Sequence, residues 1–258
     1  MSRKAFTLAE ILITLNVMLQ NHKGEKSMVK ERTASKGFTL AEILITLTVI
    51  GVVAALTIPT LLQNTNQAEL KTALKRDFAD LSQATLSIKN DKGGSLVNAF
   101  PGDALGTESL KNAFKAKLSY LKECYGTSAW GGGGNGTAVE GCWHASGAMQ
   151  YLSGVKINGW DARPGLILNN GTFIFFRNIK SDCSATSGDF KSCAYSTFDV
   201  NGFKKPNTVG KDIFRVQITD DGMLPDGTRG LYDPDNDTVY GCLPTAEGWG
   251  CTAKYLYQ

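Results

Sequence analysis

The sequence predicts an α+β fold, one long N-terminal helix followed by an antiparallel sheet, and three observations carry that prediction. Residues Ile43 to Leu62 run for 20 positions without a charge. Beyond them Leu70, Leu74, Phe78, Leu81 and Ile88 recur at spacings of 4, 4, 3 and 7, the stripe of a helix with one apolar face. From about Trp143 the pattern changes to short apolar runs separated by turn residues, which reads as strands.

The uncharged run would form a helix ~30 Å long, the hydrocarbon thickness of a bilayer. Lys30, Arg32 and Lys36 precede it, which places the N-terminus in the cytoplasm and the body on the far side. A secretory signal peptide would end in small residues at a cut after the apolar region. Here the run flows straight into the amphipathic stripe, with Lys71, Lys75 and Asp80 off that stripe, so the helix is expected to be retained. It would have a transmembrane half and an amphipathic half packed on the sheet. A second helix is expected after Ser109, where Leu110, Phe114, Leu118 and Leu121 are spaced 4, 4 and 3. Leu166–Leu168 and Thr172–Phe176 flank Asn169-Asn170-Gly171, a hairpin signal because Asn-Gly tolerates positive φ. Ala194–Val200 and Asp212–Thr219 read as further strands.

The net charge is +3, and its location decides what it means. Residues 1–37 hold seven basic and three acidic side chains, an excess of four, which leaves residues 38–258 one negative charge. The body therefore lacks the basic footprint of a dedicated nucleic-acid binder. Six cysteines, Cys124, Cys142, Cys183, Cys193, Cys242 and Cys251, form no CxxC and lie at no zinc spacing from His22 or His144. Scattered, even in number and beyond a membrane segment, they fit disulfides in an oxidising compartment, with buried thiols as the alternative.

The ten residues Phe6–Leu15 recur identically as Phe38–Leu47. The first copy runs into Asn16, Gln20, Asn21, His22 and Lys23 and is too short to span a bilayer. It reads as a truncated duplication, and Met28 is an alternative start to Met1. Gly131–Gly134 has no Lys-Ser/Thr after Gly136, so it reads as a flexible loop and not a phosphate cradle.

Lys36-Gly37-Phe38-Thr39-Leu40-Ala41-Glu42, followed by the apolar run, resembles the prepilin signal of type IV pilins and type II secretion pseudopilins over roughly residues 28–65. The resemblance implies a prepilin peptidase cutting between Gly37 and Phe38 and methylating the new amine of Phe38. It divides the chain into a leader, 1–37, a transmembrane and polymerisation helix, 38–62, and an exported pilin-like domain, 63–258. Glycine at the cut suits close approach of a protease to the backbone. Glu42 lies in an apolar segment, where a carboxylate costs free energy and usually has a partner. The resemblance names that partner as the Phe38 amine of a neighbouring subunit. Without it, an interfacial carboxylate reaching headgroup water is an equal reading. Gly51 and Pro59 interrupt the apolar helix, proline by removing a hydrogen bond and kinking it; in the family this stretch loosens on assembly. Cys242 and Cys251 bracket a C-terminal loop as in many pilins, and sequential pairing is the expectation among the fifteen connectivities open to six cysteines.

Asp199, Asn201 and Asp212 carry hard oxygen ligands in a loop similar to one that recurs in pilin-like proteins, and possible calcium is the one cofactor the sequence suggests. Asx turns are the alternative for that loop and for Asp220, Asp221, Asp226, Asp233, Asp235 and Asp237. No motif for a catalytic nucleophile accompanies His144, so an enzyme is not expected. The expected role is a structural subunit held in the inner membrane, partnered by prepilin peptidase and by other pilin or pseudopilin subunits. A membrane-anchored binding protein that borrows such an anchor without polymerising is the competing class.

Overall fold

The computed structural model describes residues 39–100, 106–124, 142–144, 147–158, 164–187, 189–228 and 230–257. Helix α1 spans Leu40–Asp91 without interruption, through Pro59. Pro59 has no N–H to donate to the carbonyl of Ala55, one turn back. A short helix, α2 (Gly106–Lys115), follows.

Among the described residues ten strands come next: β1 (Tyr120–Cys124), β2 (Met149–Gln150), β3 (Lys156–Ile157), β4 (Gly165–Leu168), β5 (Phe173–Asn178), β6 (Ala185–Ser187), β7 (Phe190–Ser192), β8 (Ala194–Asp199), β9 (Ile213–Thr219) and β10 (Gly222–Pro225). Helix α3 (Cys251–Leu256) lies near the C-terminus. Six strands form one antiparallel sheet in the order β1-β4-β5-β8-β9-β10, while β2–β3 and β6–β7 are separate two-stranded ribbons. The result is α+β, a long helix followed by an antiparallel sheet in a pilin-like arrangement.

Strands β4 and β5 are apolar at successive positions because both faces of the sheet are covered. Leu166, Leu168, Ile174 and Phe176 face one core with Leu74, Leu81, Ala84 and Ile88 of α1 and Leu110 and Phe114 of α2. Phe114 stacks on Phe176 with ring centroids 4.7 Å apart. Ile167, Phe173 and Phe175 face a second core built on Trp143, Met149, Ile157, Val209, Ile213 and Trp249. In a strand alternate side chains take opposite faces, so a sheet buried on both sides needs an unbroken apolar run.

The hairpin between β4 and β5 closes as expected, with a particular geometry. Gly171 N–H donates to the Leu168 carbonyl at 2.9 Å, Leu168 N–H to the Thr172 carbonyl at 2.9 Å, and Gly171 alone holds positive φ, +87°. This places the left-handed residue at glycine, where it costs least. Asn170 then serves another purpose: its Nδ2 donates to Asp77 Oδ1 at 2.9 Å, and Thr172 Oγ1 donates to Asp77 Oδ2 at 2.7 Å. Asp77 is a fully buried carboxylate on the otherwise apolar face of α1. Burial pushes its pKa up, against the hydrogen bonds from Thr172, Arg76 and Asn170.

The expected second helix is shorter than its apolar spacing suggests. It ends at Lys115; Leu118 packs on the core from a turn, and Leu121 lies exposed on β1. Backbone pairing of β1 with β4 outweighs helical periodicity there. The sheet therefore begins at Tyr120, before Trp143. The disulfides join Cys124 to Cys142, Cys183 to Cys193 and Cys242 to Cys251. The second spans the β6–β7 ribbon, and the third ties the loop before α3 to its first residue.

Candidate functional site

Helix α1 opens with a capping box. Glu42 N–H donates to Thr39 Oγ1 at 3.3 Å, while Thr39 N–H and the Thr39 hydroxyl both donate to Glu42 Oε2 at 2.9 Å. This satisfies donors that the first turn of any helix leaves unpaired. Thr-x-x-Glu ahead of an apolar run is the sequence signature of this device, and sequence reasoning missed it by weighing Glu42 only as an intermolecular partner or as an interfacial carboxylate reaching headgroup water. Gly37 and Phe38, the expected cleavage and methylation residues, lie outside the described residues.

After the cap, thirteen large apolar side chains between Leu40 and Leu62 are exposed, and the most apolar stretch of the helix has none of its length buried. Helix α1 is long and apolar enough to cross a membrane. A Cβ placed on Gly51 would meet no atom within 4 Å, so this glycine serves no close contact among the described residues. A contiguous apolar surface of this extent marks an interaction surface. Glu42 is its one ionisable side chain from Leu40 to Leu62.

The expected calcium residues come together with three that the sequence reading did not assign, His144, Asn207 and Thr208. His144 Nε2 lies 2.7 Å from Asp199 Oδ2, and Asn201 N–H donates to Asp199 Oδ1 at 3.1 Å. The N–H groups of Asn207 and Thr208 donate to the two oxygens of Asp212 at 2.7 and 2.6 Å. Burial, with the nearby Asp212 charge adding to it and the His144 hydrogen bond opposing it, pushes the Asp199 carboxyl up to about 7. Burial also raises Asp212, against the N–H bonds of Thr208 and Asn207. The amide oxygens of Asn201 and Asn207 are buried and lack a hydrogen-bond partner among the described residues.

Two carboxylates and two unpaired amide oxygens are chemistry a hard cation accepts, but calcium takes six to eight oxygens. Among the described residues no three His, Cys, Asp or Glu side chains converge in a metal-binding group. Each carboxylate oxygen here already accepts from, or faces, a nitrogen of the protein. These residues would hold a cation by sharing or giving up those bonds.

The acidic stretch after β9 performs local structural work. Asp220 Oδ1 accepts from Leu96 N–H at 2.6 Å and Ser95 Oγ at 2.9 Å, which anchors the turn after α1. Asp233 and Asp237 cap their own turns, accepting from Asn236 and from Val239 and Tyr240. Asp226 is buried against Arg215, whose guanidinium also lies 4.2 Å from the Trp249 ring centroid.

Residues 32–58 match the prokaryotic N-terminal methylation motif, the signature of type IV pilin and pseudopilin prepilin-type proteins. Searches of curated proteins and of solved structures find no match to the chain. The matched segment contains Gly37, Phe38, the Thr39–Glu42 cap and most of the exposed apolar surface.

Proposed function

We propose that this chain is a structural subunit, cut by prepilin peptidase after Gly37, methylated at Phe38 and assembled through α1 into a type IV pilus-like or secretion pseudopilus filament. The methylation motif marks it as a prepilin-type substrate, and that type is structural rather than enzymatic. The observation that carries assembly is the pairing of an exposed apolar helix with a single carboxylate at its start. In the membrane, lipid covers the apolar side chains of α1. In a filament, neighbouring helices do so, and the helix leaves lipid without entering water. Glu42 then exchanges its intramolecular partner, Thr39, for the Phe38 amine of another subunit. Methylation keeps that amine charged, so the ion pair survives the modification. The leader, 1–37, is removed, and residues 63–258 form the filament surface, stiffened by three disulfides that each contribute about 2–4 kcal/mol.

The N-terminus lies in the cytoplasm and the body beyond the inner membrane, a reading supported by Lys30, Arg32 and Lys36 ahead of the span. Mass spectrometry of the mature N-terminus tests the proposal. Methylated Phe38 is the expected terminus; a mature protein starting at Met1 or Met28 overturns it.

A further inference from the structure

An open groove of the body lies beside the residues that follow the apolar run. It encloses about 600 Å³ between α1, at Asn66 and Lys71, and the β8–β9 loop, at Lys204, Lys205 and Lys211. Lys204, Lys205 and Lys211 are exposed, and no ion pair among the described residues engages them. Lys71 lies 4.5 Å from the centroid of the Tyr255 ring, which holds it at the groove's edge. Glu69 is the one acidic side chain in the lining. The groove thus gathers four cations and one anion in a body whose net charge is slightly negative.

Its position selects the partner. At ~1.5 Å per residue, Asn66 and Lys71 lie ~6 and ~13 Å along the helix from Leu62, the end of the apolar run. A bilayer's polar layer extends ~5–7 Å beyond the hydrocarbon on each side. When the apolar run spans a bilayer, the α1 wall of the groove starts in the headgroup layer, and flexible lysine side chains reach back toward it.

We propose that this groove seats anionic phospholipid headgroups, steadying the body on the membrane before the helix is withdrawn into a filament. Clustered lysines beside a membrane segment are attracted to anionic lipid within a Debye length. Withdrawal of α1 from the bilayer would break these contacts, so membrane charge opposes assembly.

The inference rests on the membrane-anchor reading, and one experiment separates the two. The full chain is placed in nanodiscs of phosphatidylcholine, alone or mixed equally with phosphatidylglycerol. Lysines are acetylated with an amine-reactive ester and quantified by peptide mass spectrometry, using Lys191, outside the groove, as reference. Phosphatidylglycerol is expected to lower labelling of Lys204, Lys205 and Lys211 about threefold or more, with labelling restored at high salt. Equal labelling in the two discs overturns the headgroup site and leaves the anchor intact. Protection by inorganic phosphate in pure phosphatidylcholine overturns it in favour of a free-anion site. Protection that grows with protein concentration in pure phosphatidylcholine gives the groove to a second copy. A chain that fails to enter either disc overturns the anchor and the headgroup site together.

Discussion

The two halves of α1 obey the same backbone geometry and differ in what covers them. In the later half Leu74, Leu81 and Ile88 are buried to 2% exposure or less, packed on a sheet encoded some 80 to 140 residues downstream. In the earlier half Leu47, Ile50 and Leu61 are each 60% exposed. The later half finds its apolar partners within its own chain, whereas the earlier half must take them from lipid or another molecule. Carboxylates show the same division. Asp77 is buried and satisfied by Asn170 and Thr172 of the same chain, while Glu42 is exposed and, among the described residues, bound to its own first turn. One helix therefore carries an apolar face covered by its own chain and, before it, an apolar stretch left exposed.

Breaking the assembly proposed for the exposed stretch should have the largest effect. Glu42→Ala removes both the cap and the charge; Glu42→Gln keeps an acceptor suited to the capping box and removes only the charge. Both variants should insert in the membrane, and both should reduce sheared surface filaments to background. If the glutamine variant assembles like the wild type, the cap is what matters, and pairing with a neighbour's Phe38 amine is wrong.

The body that covers the later half should respond differently. Asp226→Ala strands the Arg215 guanidinium in the body, and an uncompensated buried charge costs about 3–5 kcal/mol. Denaturant unfolding of the detergent-solubilised full chain should show that loss, with membrane insertion unchanged. A loss below about 1 kcal/mol would mean that water reaches Arg215 and that its burial is not decisive.

The sequence reveals these two regions unequally. The apolar half of α1 is legible residue by residue, because an uncharged run of this length stands out on its own. Strands β4, β5, β8 and β9 are legible because turn residues bound their apolar runs. Strand β1 is not: Leu118 and Leu121 extend the helical spacing of α2, and only pairing with β4, over forty residues away, decides against it. The ribbons β2–β3 and β6–β7 are two or three residues per strand, too short for any periodicity. Asp77 falls on the apolar stripe and looks like an interruption, since its partners Asn170 and Thr172 lie more than 90 residues on. In the candidate site, Glu42 stands out from its apolar context, while its cap, signalled by Thr39, went unread. The His144 to Asp199 contact spans 55 residues and leaves no local signal.

That contact gives the smallest and most diagnostic effect within the body. Asp199 titrates near 7 when folded and near 3.8 when unfolded, so between those values the folded chain holds a proton that the unfolded chain has released. Its stabilising contribution is full below about pH 4 and is lost as pH rises through 7. The slope it adds is at most about 1.4 kcal/mol per pH unit, the limit for one proton. Unfolding measured from pH 5 to 7 in chelator should show this decline, and Asp199→Asn should flatten it. An unchanged slope in the variant would move the titration to another group. Calcium sharpens the result, because a cation between Asp199 and Asp212 would favour their charged forms and replace the proton. A wild-type slope that calcium flattens assigns these residues and Asn201 to a hard cation. A slope indifferent to calcium leaves the cluster to the proton.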